Sequence, residues 1–176
     1  MNAGVSAGAA IGLLVGLVIA VILIKVANKD HRVKSQYDER QELIKGQGYK
    51  YSFYTMMALE VIVMLIEMSG IELPVENYLV HTTAILIGCL VLCIHSIWND
   101  VYWGLNNDHK RYTIIIVIAV ILNLIPLVAS IARGSFTTKG FDSIPVLNLL
   151  VLIWMAIIGL AALVKKFVSA RNVEED

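Results

Sequence analysis

Residues 51–68 read YSFYTMMALEVIVMLIEM. A helix needs about 20 mostly apolar residues to cross a bilayer core. This stretch is almost long enough and almost apolar enough, but Glu60 and Glu67 interrupt it. If it crosses, the chain has an odd number of crossings and its two ends lie on opposite sides. If it does not, both ends share a side.

The surroundings favour crossing. The chain has 176 residues, of which 58% are hydrophobic and only 16% charged, with a mean hydropathy of +0.75. A soluble domain carries about 25% charged residues. Four further apolar segments run from about residues 3–24, 78–98, 112–132 and 143–164. With 51–68 they predict an all-α integral membrane protein, a bundle of five transmembrane helices forming a single membrane domain over 1–176. The joining loops are short, and no stretch outside the membrane is long enough for a second domain.

The net charge of zero hides an asymmetry. Lys25, Lys29, Arg32, Lys34, Arg40, Lys45 and Lys50 share one window, and no Lys or Arg lies between Tyr51 and Asn107. Short loops rich in Lys and Arg stay in the cytoplasm. With the N-terminus outside, the inner regions 25–50, 99–111 and 165–176 hold 7, 2 and 3 basic residues; the outer regions hold 0, 0 and 2. That bias predicts the N-terminus outside, the C-terminus inside and residues 25–50 as a charged cytoplasmic loop. The aromatics agree, because Tyr and Trp collect at the interfaces: Tyr49, Tyr51 and Tyr54 at the inner start of the second helix, and Trp98, Tyr102, Trp103 and Tyr112 around the next inner loop. The first helix does not read as a signal peptide, because its positive charge follows the apolar run instead of preceding it.

Gly4, Gly8, Gly12 and Gly16 repeat every four residues along the first helix. That spacing places them on one face, and a row without side chains lets a second helix approach closely. The expected partner is another helix of this chain; a second copy, giving a homo-oligomer, is the other.

Ionisable groups within membrane segments usually face the bundle interior or water. Glu60 and Glu67 are seven residues apart, within about 20° on one helix face. His81, Gly88 and His95 share a face of the third helix by the same arithmetic. In a hairpin of the two helices Glu67 falls level with His81, and Glu60 near Gly88 and Cys89. One reading is a proton- or ion-linked site with Glu60 titrating. The other is a protonated Glu60 bonded to a neighbouring helix, with Asn123 or Asn148 as acceptor or donor. Asn123 and Pro126 also mark a kink in the fourth helix, since proline removes the bond to Leu122. Cys89 and Cys93 lie off the histidine face, and neither C-x-x-C nor H-x-x-x-H spacing is present, so neither metal nor other cofactor is expected. No G-x-S-x-G, H-E-x-x-H or phosphate loop suggests an enzyme.

The loop before the second helix reads YDERQELIKGQGYKY, residues 37–51. Asp38, Glu39, Arg40, Gln41, Glu42 and Lys45 predict a short helix with charge pairs, ended by Gly46 and Gly48. The order Asp-Glu-Arg-Gln, then Gly-x-Gly-Tyr-x-Tyr, then Phe53 and a methionine-rich helix, resembles a group of small bacterial membrane proteins, seen mainly in Gram-positive lineages and described only as a domain of unknown function. Its members are often encoded beside small helix-turn-helix regulators. The resemblance therefore implies a plasma-membrane protein whose inner loop, with Asp38, Glu39, Arg40 and Gln41, meets a cytoplasmic protein of that kind, with no direct contact to nucleic acid. The sequence thus supports a non-enzymatic interaction or regulatory protein surrounded by lipid, with a small transporter or channel subunit as the alternative.

Overall fold

The computed structural model describes residues 3–138 and 143–174. It is all-helical, with α1 (Ala3–Ala27), α2 (Glu39–Met68), α3 (Asn77–Trp98), α4 (His109–Ala132) and α5 (Ile144–Glu174). The last four are long and apolar enough to cross a membrane. Two compact units are present, one of residues 1–38 and 103–118 and one of residues 39–102 and 119–176.

In the first unit, the segment after α1 is clasped to the segment leading into α4. Asn28 and Asn107 form an isolated antiparallel bridge, and both are buried, as is Asn106. The Asn107 side-chain amide donates to Asn28 Oδ1 at 2.7 Å, and Tyr112 Oη donates to the same oxygen at 2.9 Å. Asn28 Nδ2 donates to the Arg32 carbonyl, while Asn106 Nδ2 donates to Asp30 and its Oδ1 accepts from the Gln36 N–H. Amides suit this node because each both donates and accepts. Buried backbone groups that no helix serves are thereby satisfied. Asp108 then starts α4, its Oδ1 accepting from the N–H groups of Lys110 and Arg111, as an N-terminal capping carboxylate does.

In the second unit, α3 packs against α2 and against α5. Ser52 Oγ donates to the Gly88 carbonyl at 2.7 Å, and Trp154 Nε1 of α5 donates to the Leu86 carbonyl at 2.8 Å. The end of α3 is closed by Asp100 at φ 58°, with Asp100 N–H bonded to the Ile97 carbonyl and Val101 N–H to the Ser96 carbonyl. This is the paired closure typical of a left-handed helix terminus, with Val101 buried beneath it. Lys165 ties α5 to that terminus, through the Trp98 carbonyl and the Asp100 carboxylate at 3.0 Å.

Two expectations change. Residues 25–50 are not one loop, because α2 starts at Glu39 and passes through Gly46 and Gly48 without a break. Two helical glycines cost about 1 kcal/mol each, but Glu39 to Lys45 are good helix formers. Gly48 also fits a contact no larger residue could make, since a Cβ there would lie 2.9 Å from His95 Nδ1. The other helices run past the apolar segments as well: α1 reaches Ala27, α4 starts at His109, and α5 continues to Glu174. Helix propensity does not stop where apolar character does. Of the glycine row, a Cβ added at Gly12 or Gly16 would meet nothing within 4 Å among the described residues; Gly4 and Gly8 lie outside the residues whose side-chain surroundings are described.

Candidate functional site

The α2–α3 hairpin positions the site. Its seam is set where side chains are smallest. Gly88 meets Met56, whose Cγ would be 2.9 Å from an added Cβ, and Gly48 meets His95, whose ring also stands edge-on to Tyr51 at 5.4 Å. Because His81, Gly88 and His95 recur every seven residues, all three turn toward α2. At the end of the hairpin nearest the turn, that register places His81 between two carboxylates.

His81 Nδ1 lies 2.7 Å from Glu60 Oε2, and Nε2 lies 3.4 Å from Glu67 Oε1. Glu60 lies on one side of the ring and Glu67, two helical turns on, on the other. The expected pairing of Glu67 with His81 is present. Glu60, expected near Gly88 and Cys89, instead reaches His81, because Met56 takes the place opposite Gly88. Asn123 donates within its own helix, to the Ala119 carbonyl at 2.8 Å, and is not a partner of Glu60.

The three side chains are not sealed in. Glu60, Glu67 and His81 keep 33%, 37% and 41% of their side-chain surface exposed. Glu67 lines a cavity of about 450 Å³ at the α2–α3 turn, together with Glu72, Glu76 and Asn77. On the other side of the triad the surroundings turn apolar: Val63 and Ala84 are buried and line a second, mostly apolar cavity of about 320 Å³ with Leu79 and Val146, and Met56 fills the space over Gly88. Of the triad, Glu67 lines the cavity at the turn, and Glu60 and His81 do not.

No protein family, curated protein or solved structure matches this chain. The site is therefore read from its own chemistry. An imidazole between two carboxylates can hold and pass a proton, or carry part of the charge balance for a cation. Among the described residues, no group of three or more His, Cys, Asp or Glu side chains has a geometry suited to a metal ion. Cys89 and Cys93 are free thiols.

The remaining expected residues have other surroundings. His95 Nδ1, against Gly48 and Tyr51 of α2, and Ser96 Oγ are buried without a hydrogen-bond partner among the described residues. Glu39, Arg40 and Gln41 form the first turn of α2, with Asp38 just before it. Sequence reasoning missed the Asn28, Asn106 and Asn107 node. Its one trace is that three asparagines stand at the ends of apolar runs where a loop alone would not need them.

Outside the helices' apolar stretches, two carboxylates are biased toward the charged form. Backbone N–H bonding from Arg111 comes first in holding Asp108 below the usual carboxylate value, outweighing partial desolvation, with Lys110 and Arg111 adding to it. For Asp30 desolvation is the largest influence and acts upward, but hydrogen bonds from Asn106 and Arg32 prevail and hold it low.

Proposed function

We propose that this chain is a small multi-pass membrane protein of transporter or channel-subunit type, with Glu60, His81 and Glu67 as a proton- or cation-linked site. The observation that carries this reading is the pairing of one imidazole with two carboxylates of a facing helix, one of which lines a cavity at the α2–α3 turn. Ionisable groups in a membrane segment are expensive and mark ion pathways and relays. A purely structural polar contact needs one pair; a second carboxylate on the same ring adds charge without need.

The distribution of basic residues supports five crossings with the N-terminus outside and residues 28–38 on the cytoplasmic side, in a bacterial plasma membrane. In that frame the α2–α3 turn faces out, and so does the cavity. The chain is read as non-enzymatic, since the sequence carries no G-x-S-x-G, H-E-x-x-H or phosphate-loop motif.

The test is transport in proteoliposomes carrying an internal pH-sensitive dye, challenged with pH, Na⁺ or K⁺ gradients. Wild type should dissipate at least one gradient faster than empty liposomes, and Glu60→Gln should behave as empty liposomes do. Wild type indistinguishable from empty liposomes under every gradient refutes the reading.

A second reading is favoured by the first turns of α2. Leu43 is 73% exposed on a helix start that carries Glu39, Arg40 and Glu42. An apolar side chain ringed by charge on a projecting helix suits a cytoplasmic protein partner, such as a helix-turn-helix regulator. Reversing Asp38 and Glu39 to Lys leaves a basic loop and so the same orientation. Charge complementarity governs encounter and specificity, so the reversal should lose a co-purifying partner that Lys29→Gln with Lys34→Gln retains. Equal retention by both variants removes this reading.

A further inference from the structure

We propose that the ion held by the triad is the proton, that it enters at Glu67 from the cavity at the α2–α3 turn, and that it is stored in the hydrogen-bond chain Glu67–His81–Glu60. This rests on the reading of the triad as an ion-linked site.

The proton count follows from the two contacts. At 2.7 Å between His81 Nδ1 and Glu60 Oε2, a proton must lie between the atoms, since two lone pairs would repel. On the far side of the ring, Nε2 lies 3.4 Å from Glu67 Oε1, within ion-pair distance. An unprotonated Nε2 facing an ionised carboxylate is repulsive as well. A second proton, on Nε2 or on Glu67, removes that repulsion. With it the arrangement holds one proton more than a neutral imidazole between two carboxylates. A metal cation would need an imidazole lone pair, and both ring nitrogens already face carboxylates.

The direction of entry follows from depth. Glu67 lines the cavity. Glu60 lies seven residues before it, about 10 Å along the helix axis, and neither Glu60 nor His81 lines that cavity. A proton from water binds the Glu67 carboxylate. The Glu67 O–H then gives its proton to Nε2 as the Nδ1–H proton passes to Glu60, which breaks one N–H bond and one O–H bond and forms one of each. Glu67 is ionised again, Glu60 is neutral, and the ring is left in its other tautomer.

Few other groups compete. From α2 the ring is faced by Glu60 and Glu67, and Glu72 and Glu76 of the turn line the cavity with Glu67. On α3 the nearest titratable group is Tyr78, which is bonded to Ser143 at 2.7 Å. Residues 144–164 of α5, which packs on α3, contain no ionisable side chain.

The experiment uses the full chain in nanodiscs, labelled with ¹⁵N-histidine, with His81→Gln identifying the His81 signals among the four histidines. At pH 7, wild-type His81 should show the extra proton shared across the triad, with both ring nitrogens in hydrogen bonds to protons. The Glu60→Gln, Glu67→Gln double variant should lose this signature. Exchange of the shared proton with water should slow in Glu67→Gln alone. A His81 ring in wild type that matches the double variant overturns the stored proton, and unchanged exchange in Glu67→Gln overturns the route. Thermal stability at fixed pH separates this inference from the broader reading. If Na⁺, K⁺ or Ca²⁺ stabilises wild type but not His81→Gln, the site is ion-linked and the ion is not the proton. If neither protonation nor cations distinguish wild type from His81→Gln, both fall together.

Discussion

Ser52 and Gly88 are joined by a 2.7 Å hydrogen bond from the Ser52 hydroxyl to the Gly88 carbonyl, 36 residues apart in the chain and buried in the α2–α3 seam. A hydroxyl can reach a helix carbonyl of its neighbour only where the two backbones come close, and the missing side chain at Gly88 permits this. The same contact fixes the register that brings Glu60 and Glu67 to His81.

Gly88→Val should therefore disrupt the site as well as the seam. The new Cβ would overlap Met56, and forcing extra methyl groups into a packed contact costs about 1–3 kcal/mol. The expected outcome is a lower melting temperature in detergent together with loss of the hydrogen-bonded His81 signal, although no triad residue has changed. A Gly88→Val protein with wild-type stability and an unaltered His81 ring contradicts the register described here.

In the other unit, Asn107→Leu removes the amide that Asn28 Oδ1 accepts from and the oxygen that the Gly104 N–H donates to at 2.6 Å. Leaving a buried polar group without a partner costs about 1–3 kcal/mol. Limited proteolysis within residues 28–36 should accelerate, because the clasp on this segment loosens. Cleavage at the wild-type rate would mean that the segment is held by other contacts.

Asp108 gives a dependence on acidity. Its folded-state pKa lies below the usual value, so its contribution is present above the unfolded value near pH 4 and is lost as pH falls through the folded one. Asp108→Asn keeps a capping oxygen but not the charge beside Arg111, which is 3.3 Å away. Wild type should melt above Asp108→Asn at pH 6, and the gap should close on acidification below about pH 4. A gap that stays constant across this range would exclude Asp108 as its source.

Gly12→Leu probes the glycine row. With open space around Gly12, the substitution should leave the stability of the single chain unchanged within about 0.5 kcal/mol. A large loss accompanied by a change in oligomeric size would place the row between copies of this chain.

How far the sequence led depends on which contacts repeat along a helix. The face shared by His81, Gly88 and His95 was legible because seven residues make nearly two turns, and the pairing of Glu67 with His81 followed from it. The level of Glu60 was not. Helix ends suggested a register, whereas the close approaches at Gly48 and Gly88 set it. Gly48 also misled about the start of α2, because glycine reads as a helix breaker until its neighbour is known. The asparagine node left almost no trace, since Asn28 and Asn107 are 79 residues apart and amide pairing has no period.

The same separation has a consequence for synthesis. Chains emerge from the ribosome at about 5–20 residues per second. Asn28 is made roughly 4–16 s before Asn107, and until then its Oδ1 lacks the native donors Asn107 and Tyr112. The segment that follows α1 therefore acquires its fixed shape only once the start of α4 has been made.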